Sequence, residues 1–99
     1  MSKYILTKKA LLDLSDIWNY TFDTWSENQA DKYYSILLEN CKNLANNPVL
    51  GKTYENIIDG LKGFRTGKHV IFYKKHKLDS ILIIRILHGQ MDLKNRINE

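Results

Sequence analysis

The chain changes period about halfway along. From Lys8 to about Thr24 apolar residues recur at helical spacing. Leu11, Leu14, Trp18 and Phe22 form a stripe, with Ala10, Ile17 and Thr21 beside it and Lys9, Asp13, Asp16 and Asn19 opposite. Thr7 precedes this run and predicts an N-cap through its hydroxyl. "WSENQA" then breaks the pattern. Ser26 with Gln29 three residues on has capping-box spacing, so a second helix starts there and runs to about Asn46. Its stripe is Ala30, Tyr34, Leu37, Cys41 and Leu44. "ANNP" ends it, because asparagine tolerates a left-handed cap and Pro48 cannot continue a helix. The short joint predicts an antiparallel helix hairpin, with Trp18 and Leu37 between the helices and whatever they cover.

Residues 49–63 form a glycine-punctuated connection with room for one helical turn. After it the period becomes two. Strands over 61–66 and 69–75 flank Gly67 and Lys68, a two-residue turn with glycine first, as type II′ requires. "KHKLD" makes the next turn. "SILIIRILH" (80–88) is apolar on both faces and so reads as a central strand. "KYILT" (3–7) opens the chain as a short strand, and "MDLKNRINE" closes it as a short helix. The expected class is α+β. An N-terminal strand and an antiparallel two-helix hairpin pack on a mostly antiparallel sheet, followed by a short C-terminal helix, all in one domain over 1–99.

Arg85 is the anomaly in this plan. A charge inside a core strand is costly unless it is paired or reaches an open surface. Strict alternation puts Arg85 on one face with Ile81, Ile83 and Leu87, and Leu82, Ile84, Ile86 and His88 on the other. If the helices cover the purely aliphatic Leu82 side, the guanidinium emerges on the far face, near segment 88–96. Two roles suit it there: an ion pair with Asp92, or an anchor for an acidic group of a partner.

Composition narrows the function. The 99 residues are 43% hydrophobic and 26% charged, which fits a folded domain with a small core that can lean on a partner for stability. The net charge of +4 favours acidic partners, either nucleic acid or an acidic protein segment. One cysteine allows no internal disulfide and fits a reducing cytoplasm. With three scattered histidines it makes no metal site. The N-terminal segment is too polar for a signal peptide or a membrane span.

Most residues with chemical potential have a plain reading. Cys41 reads as a small core residue, and Trp18 and Tyr34 as core aromatics. Trp25 reads as closing the helix joint, with Tyr33 exposed beside the stripe. "YKKHK" (73–77) reads as a solvated hairpin tip rather than a phosphate contact. His69 and His88 are acid–base candidates by type, but strand-end histidines are more often packed and hydrogen-bonded.

"WSENQADKYY", "NNPVLGKTY", "GLKGFRTGKHVIFYK" and "ILIIRILHGQMD", in that order and over nearly the whole chain, resemble toxins of the ParE type. The resemblance implies the RelE/ParE-like fold and the toxin of a bacterial toxin–antitoxin pair. Such a toxin is neutralised by an antitoxin of the ParD type, through which DNA enters indirectly. It implies poisoning of DNA gyrase by protein binding. RelE-type toxins share the fold but cut ribosome-bound message with a basic cluster and a tyrosine. Here one of their arginine positions reads His69, and the segment after the last strand reads "HGQMD". The ribonuclease is therefore the alternative. The expected partner-binding residues are His69, Tyr73, Arg85, His88, Asp92, Lys94 and Arg96, with no catalytic residue, metal or cofactor assigned.

Overall fold

The computed structural model describes residues 3–89 and 93–97. Strand β1 (Lys3–Leu6) leads into helix α1 (Lys8–Thr24) and helix α2 (Glu27–Asn46). A 3₁₀ turn (Pro48–Leu50) and a two-residue strand β2 (Lys52–Thr53) follow. Then come β3 (Lys62–Thr66), β4 (His69–Lys75), β5 (Ser80–His88) and the short helix α3 (Leu93–Arg96). Both helix starts are capped as their sequences predict: Thr7 accepts from the Ala10 N–H at 3.0 Å and Ser26 from the Gln29 N–H at 3.1 Å. Gly67 turns at φ 59°, and among the described residues no other residue type has positive φ, so Gly67–Lys68 has the II′ signature. The connection from 49 to 61 contributes the 3₁₀ turn and also β2, a strand too short to leave a periodic signal.

The sheet runs β1-β5-β4-β3-β2, with β1 parallel to β5 and the other pairs antiparallel. The helix hairpin covers one face, where Leu14, Leu37, Cys41 and Leu44 meet Ile71, Tyr73, Ile81, Ile83 and Ile86. The other face is covered too. Leu61, Val70, Phe72, Leu87 and Ile97 form a second, smaller core with Tyr54, Ile57 and Ile58 packed on it.

The facing of α1 differs from the predicted stripe. Its buried residues are Ala10, Leu14, Ile17 and Thr21, while Leu11 and Phe22 are exposed. Trp18 is only half-buried. It stacks on Phe22 and donates its indole N–H to Asp31 at 3.0 Å. The line of smaller side chains faces inward, and the large aromatics lie along the outer flank. In α2 the predicted stripe holds, with Tyr34 partly buried against the core. Trp25 caps the end of α1 but is 73% exposed, so it does not close the joint.

Arg85 is explained by an irregularity in β5. Phe72 pairs with Arg85 but Tyr73 with Ile83, so Ile84 is one extra residue, a β-bulge. The bulge shifts the alternation. Ile81 and Ile83 face the helices before it, Ile86 after it, and Leu82 does not take the helix side. β1 pairs only with residues 80–83, so the edge of β5 beyond them has no strand neighbour on that side. The start of α1 takes its place. The Thr7 N–H donates to the Ile83 carbonyl at 3.1 Å, the Thr7 hydroxyl to the Ile84 carbonyl at 2.8 Å, and the Ile86 N–H to the Asp13 carboxylate at 3.0 Å. Arg85 holds the same carboxylate with two hydrogen bonds, 2.8 Å from Nε and 3.0 Å from Nη2. It also donates to the Arg96 carbonyl at 2.8 Å. The expected nearness to the C-terminal segment is present. The carboxylate, however, comes from α1, and both side chains of the pair are 11% exposed. Asp92 lies outside the described residues.

These contacts rank three substitutions for urea melts. Asp13→Ala should cost about 3–5 kcal/mol, because it strands a mostly buried guanidinium and an edge N–H. Leu37→Ala should cost about 2–5 kcal/mol. Trp18→Ala should cost roughly 1–2 kcal/mol, below the range of a fully buried tryptophan. A loss under about 1 kcal/mol for Asp13→Ala would contradict the clamp.

Candidate functional site

The register that pairs β4 with β5 sets His69 opposite His88 at one end of the sheet. The II′ turn at Gly67 lies beside them, and the α1–α2 joint stands over them. Between these parts is a groove of about 780 Å³. Its walls come from the outer half of α1 (Asp16, Tyr20, Trp25), the first turns of α2 (Gln29, Tyr33) and the strand ends (Lys68, His69, His88). Tyr20 is 68% exposed, so with Trp25 it forms an aromatic rim open to solvent.

The floor of the groove is an ordered polar chain. The Tyr33 hydroxyl donates to the Thr66 carbonyl at 3.0 Å and lies 2.7 Å from His69 Nδ1. A hydroxyl has one proton and here two acceptors within reach, so in either tautomer of His69 the phenol ties the ring to the Thr66 turn. Asn40 donates to the Thr66 hydroxyl at 3.1 Å and steadies the same turn. Gly67 is required twice: for its positive φ, and because a Cβ there would lie 2.8 Å from the Tyr33 hydroxyl oxygen. The His69 and His88 rings meet edge to face, with centroids 5.4 Å apart.

Burial lowers the His69 pKa from 6.5 to about 4, and the neighbouring His88 adds to the shift. His69 is thus neutral near pH 7. Burial also raises the Tyr33 phenol, so neither member of the dyad is a ready cation or anion. Cys41 lies in the core, where burial pushes its thiol up to about 12 and makes it inert. Among the described residues no group of three or more His, Cys, Asp or Glu side chains could hold a metal ion, and no helix is long and apolar enough to cross a membrane. The groove has the chemistry of a binding cleft: aromatic walls with a few fixed polar groups.

Of the predicted partner-binding residues, the structure brings His69 and His88 together in the groove. Tyr73 is removed from the set: it is 1% exposed, and its hydroxyl bonds Pro48 and Gly51 inside the fold. Arg85 is turned toward Asp13 and the Arg96 carbonyl rather than outward. Arg96 is exposed on α3, Lys94 is in the same helix, and Asp92 is outside the described residues. Sequence reasoning missed Tyr20, Trp25, Tyr33 and Lys68 as one site. Their only shared signal is that each stands next to a turn or flanks a helix stripe.

Comparison with known proteins agrees with this architecture. A family model described as ParE toxin of type II toxin-antitoxin system, parDE, matches residues 4–93. Toxin ParE1 of Mycobacterium tuberculosis is 31% identical over 96 residues, covering 97% of this chain and 98% of that one. Toxin ParE1 of Caulobacter vibrioides is 34% identical over 94 residues (95% and 96%). Toxin ParE of Escherichia coli is 31% identical over 97 residues (98% and 94%). A solved structure of the chromosomal ParDE TA system from P. aeruginosa superposes with a TM-score of 0.74 at 21% identity, covering 89% of this chain and 95% of that one. It shares the fold.

The half-buried neutral histidine gives a pH dependence of definite sign. The folded state binds its His69 proton only near pH 4, whereas the unfolded chain binds it near 6.5. The stability linked to this group is full above 6.5 and is lost as pH falls from 6.5 towards 4. Allowing for solvent access, the loss is roughly 1–3 kcal/mol. His69→Gln should melt with a smaller drop between pH 7 and 4.5 than the parent. Equal drops would mean that His69 is not the group titrating.

Proposed function

The chain belongs to the ParE family of toxins of type II toxin–antitoxin systems, and from that premise we propose that it acts by binding a protein. The target is DNA gyrase, trapped with its DNA cleaved. The chain is neutralised in the cytoplasm by an antitoxin of the ParD type, and DNA is reached only through the toxin–antitoxin complex.

One observation carries the choice of binding over chemistry. The groove at the strand ends is walled by Tyr20, Trp25 and Tyr33, and its central histidine is neutral with Nδ1 committed to Tyr33. Phosphate cleavage without a metal needs a positioned proton donor and concentrated positive charge at the reacting phosphate. An aromatic cleft with one lysine and one aspartate, Lys68 and Asp16, suits a peptide segment with apolar anchors and an acidic neighbour to Lys68. The names of the relatives and of the ParDE structure support an antitoxin as its occupant. Asp92, Lys94 and Arg96 are kept among the proposed partner-binding residues. The second reading, a ribonuclease, rests on the His69–His88 contact, which sets two imidazoles side by side.

Two assays on the purified toxin separate the readings. Gyrase supercoiling should be inhibited with accumulation of cleaved DNA, while ribosome-bound message stays intact. Trp25→Ala should weaken antitoxin binding by about 10- to 100-fold in calorimetry, as loss of an aromatic anchor does. Cleavage of message that His69→Ala abolishes, with antitoxin affinity unchanged, would replace the binding account with the nuclease.

A further inference from the structure

The end of the molecule opposite the groove presents apolar side chains on fixed backbone. Tyr73, buried among the helices and the sheet, donates its hydroxyl to the Pro48 carbonyl at 2.6 Å and accepts the Gly51 N–H at 2.9 Å. These two bonds pin the 3₁₀ turn. A Cβ at Gly51 would overlap the same hydroxyl, so the position admits only glycine. The pinned turn leaves Val49 76% and Leu50 48% exposed.

The β4–β5 turn is fixed just as firmly. The Ser80 hydroxyl accepts from the Lys77 N–H at 3.2 Å, the Ser80 N–H donates to the Lys77 carbonyl at 3.0 Å, and the His76 N–H to the Ser80 carbonyl at 3.0 Å. At its tip Leu78 is 89% exposed. Pro48 and Leu78 border one cleft of about 230 Å³, with Lys75 beside them, so the two turns form one surface. Lys75 and Asp79 line that cleft with Leu78, exposed Lys77 precedes Leu78 in the turn, and Lys3 pairs opposite Ser80; Asp79 is the one acid in 73–80, and Lys74 takes the other face of β4.

We infer that this end is a docking surface for an acidic protein partner, with Leu78 entering an apolar recess on it and the lysines meeting carboxylates at the rim. Phosphate contacts would use the lysines alone and leave Leu78, Val49 and Leu50 in water. A protein interface uses both parts, an apolar centre and a charged rim. The inference rests on the proposed reading that the chain acts by binding a protein; with the antitoxin assigned there to the groove at the other end of β4, the partner on this surface is the target.

The test uses the full chain with Leu78→Asp and with the pair Lys75→Glu and Lys77→Glu, positions exposed enough to leave the fold intact. Growth arrest on induction without antitoxin, inhibition of gyrase supercoiling, antitoxin affinity and melting temperature are read for each. Both variants should need about tenfold more toxin for half-inhibition, the loss of one interface anchor, with antitoxin affinity and melting unchanged. If the parent arrests growth without touching supercoiling, gyrase is the wrong target, and growth arrest alone decides this inference. Undiminished arrest by Leu78→Asp overturns it. So does a loss confined to the lysine variant, which would put a nucleic acid or an anionic lipid surface there instead.

Discussion

The free half of the β5 edge is the constraint on which the arrangement depends. β1 pairs with β5 only through residues 80–83, and β5 runs on to His88. Backbone groups left there without partners would cost on the order of 1–3 kcal/mol each when buried. α1 supplies those partners from its cap, Thr7, and from Asp13 nearly two turns in. Arg85 compensates the charge this brings to the edge. An ion pair of this kind contributes little net stability against a well-packed apolar alternative. Its effect is positional. With Asp13 fixed against Ile86 and Arg85, Asp16 and Tyr20 on the following turns of α1 are set over His69 and His88. The width of the groove therefore follows from a contact outside it. The same guanidinium reaches the Arg96 carbonyl, so α3 is tied to the same point.

Features with local causes were legible in the sequence. The helix limits follow from Thr7, Ser26 and the "ANNP" stop, and the limits of β4 and β5 follow from Gly67 and the "KHKLD" turn. The facing of α1 was not, because two candidate stripes lie side by side on it. The stripe through Leu11, Trp18 and Phe22 contains more apolar surface. Leu14, common to both, packs with Ala10, Ile17 and Thr21 instead, which keeps Trp18 and Phe22 out of the buried contact of α1 with α2 and β5. The bulge at Ile84 had no signal either. It falls at the end of the aliphatic run 81–84, beside Arg85, with no glycine to mark it, and it reverses the face assignment on either side. Asp13, seventy-two positions before Arg85, was a polar residue on the wrong side of a helical wheel until the edge of the sheet was known.

The site was half legible for a related reason. His69 and His88 were visible as residues, but their contact is a matter of register across a turn. Tyr33 read as exposed because it flanks the stripe of α2, yet its hydroxyl bonds both His69 and the Thr66 carbonyl. Tyr73 was misread in the opposite sense. A tyrosine near a lysine run suggests surface chemistry, whereas its ring is core and its hydroxyl serves the backbone at Pro48 and Gly51. In both tyrosines the phenol is a long-range tie between elements, which strand or helix periodicity cannot report.

The sheet also sets the distance between the two ends. β4 runs from His69, in the groove, to Lys75, beside the Leu78 turn. At about 3.3 Å per residue its seven residues span roughly 20 Å. The whole molecule measures 38 × 33 × 21 Å. A compact partner seated in the groove leaves the lysine-rich end open. Covering both ends takes a segment longer than that separation, about fourteen residues of helix at 1.5 Å each or seven extended. An antitoxin segment shorter than this, held in the groove, would bind without covering the opposite end. A longer one would mask both surfaces at once. With the antitoxin in the groove, as proposed, affinity and reach to the opposite end would be two separate properties, and truncation of the antitoxin would separate them.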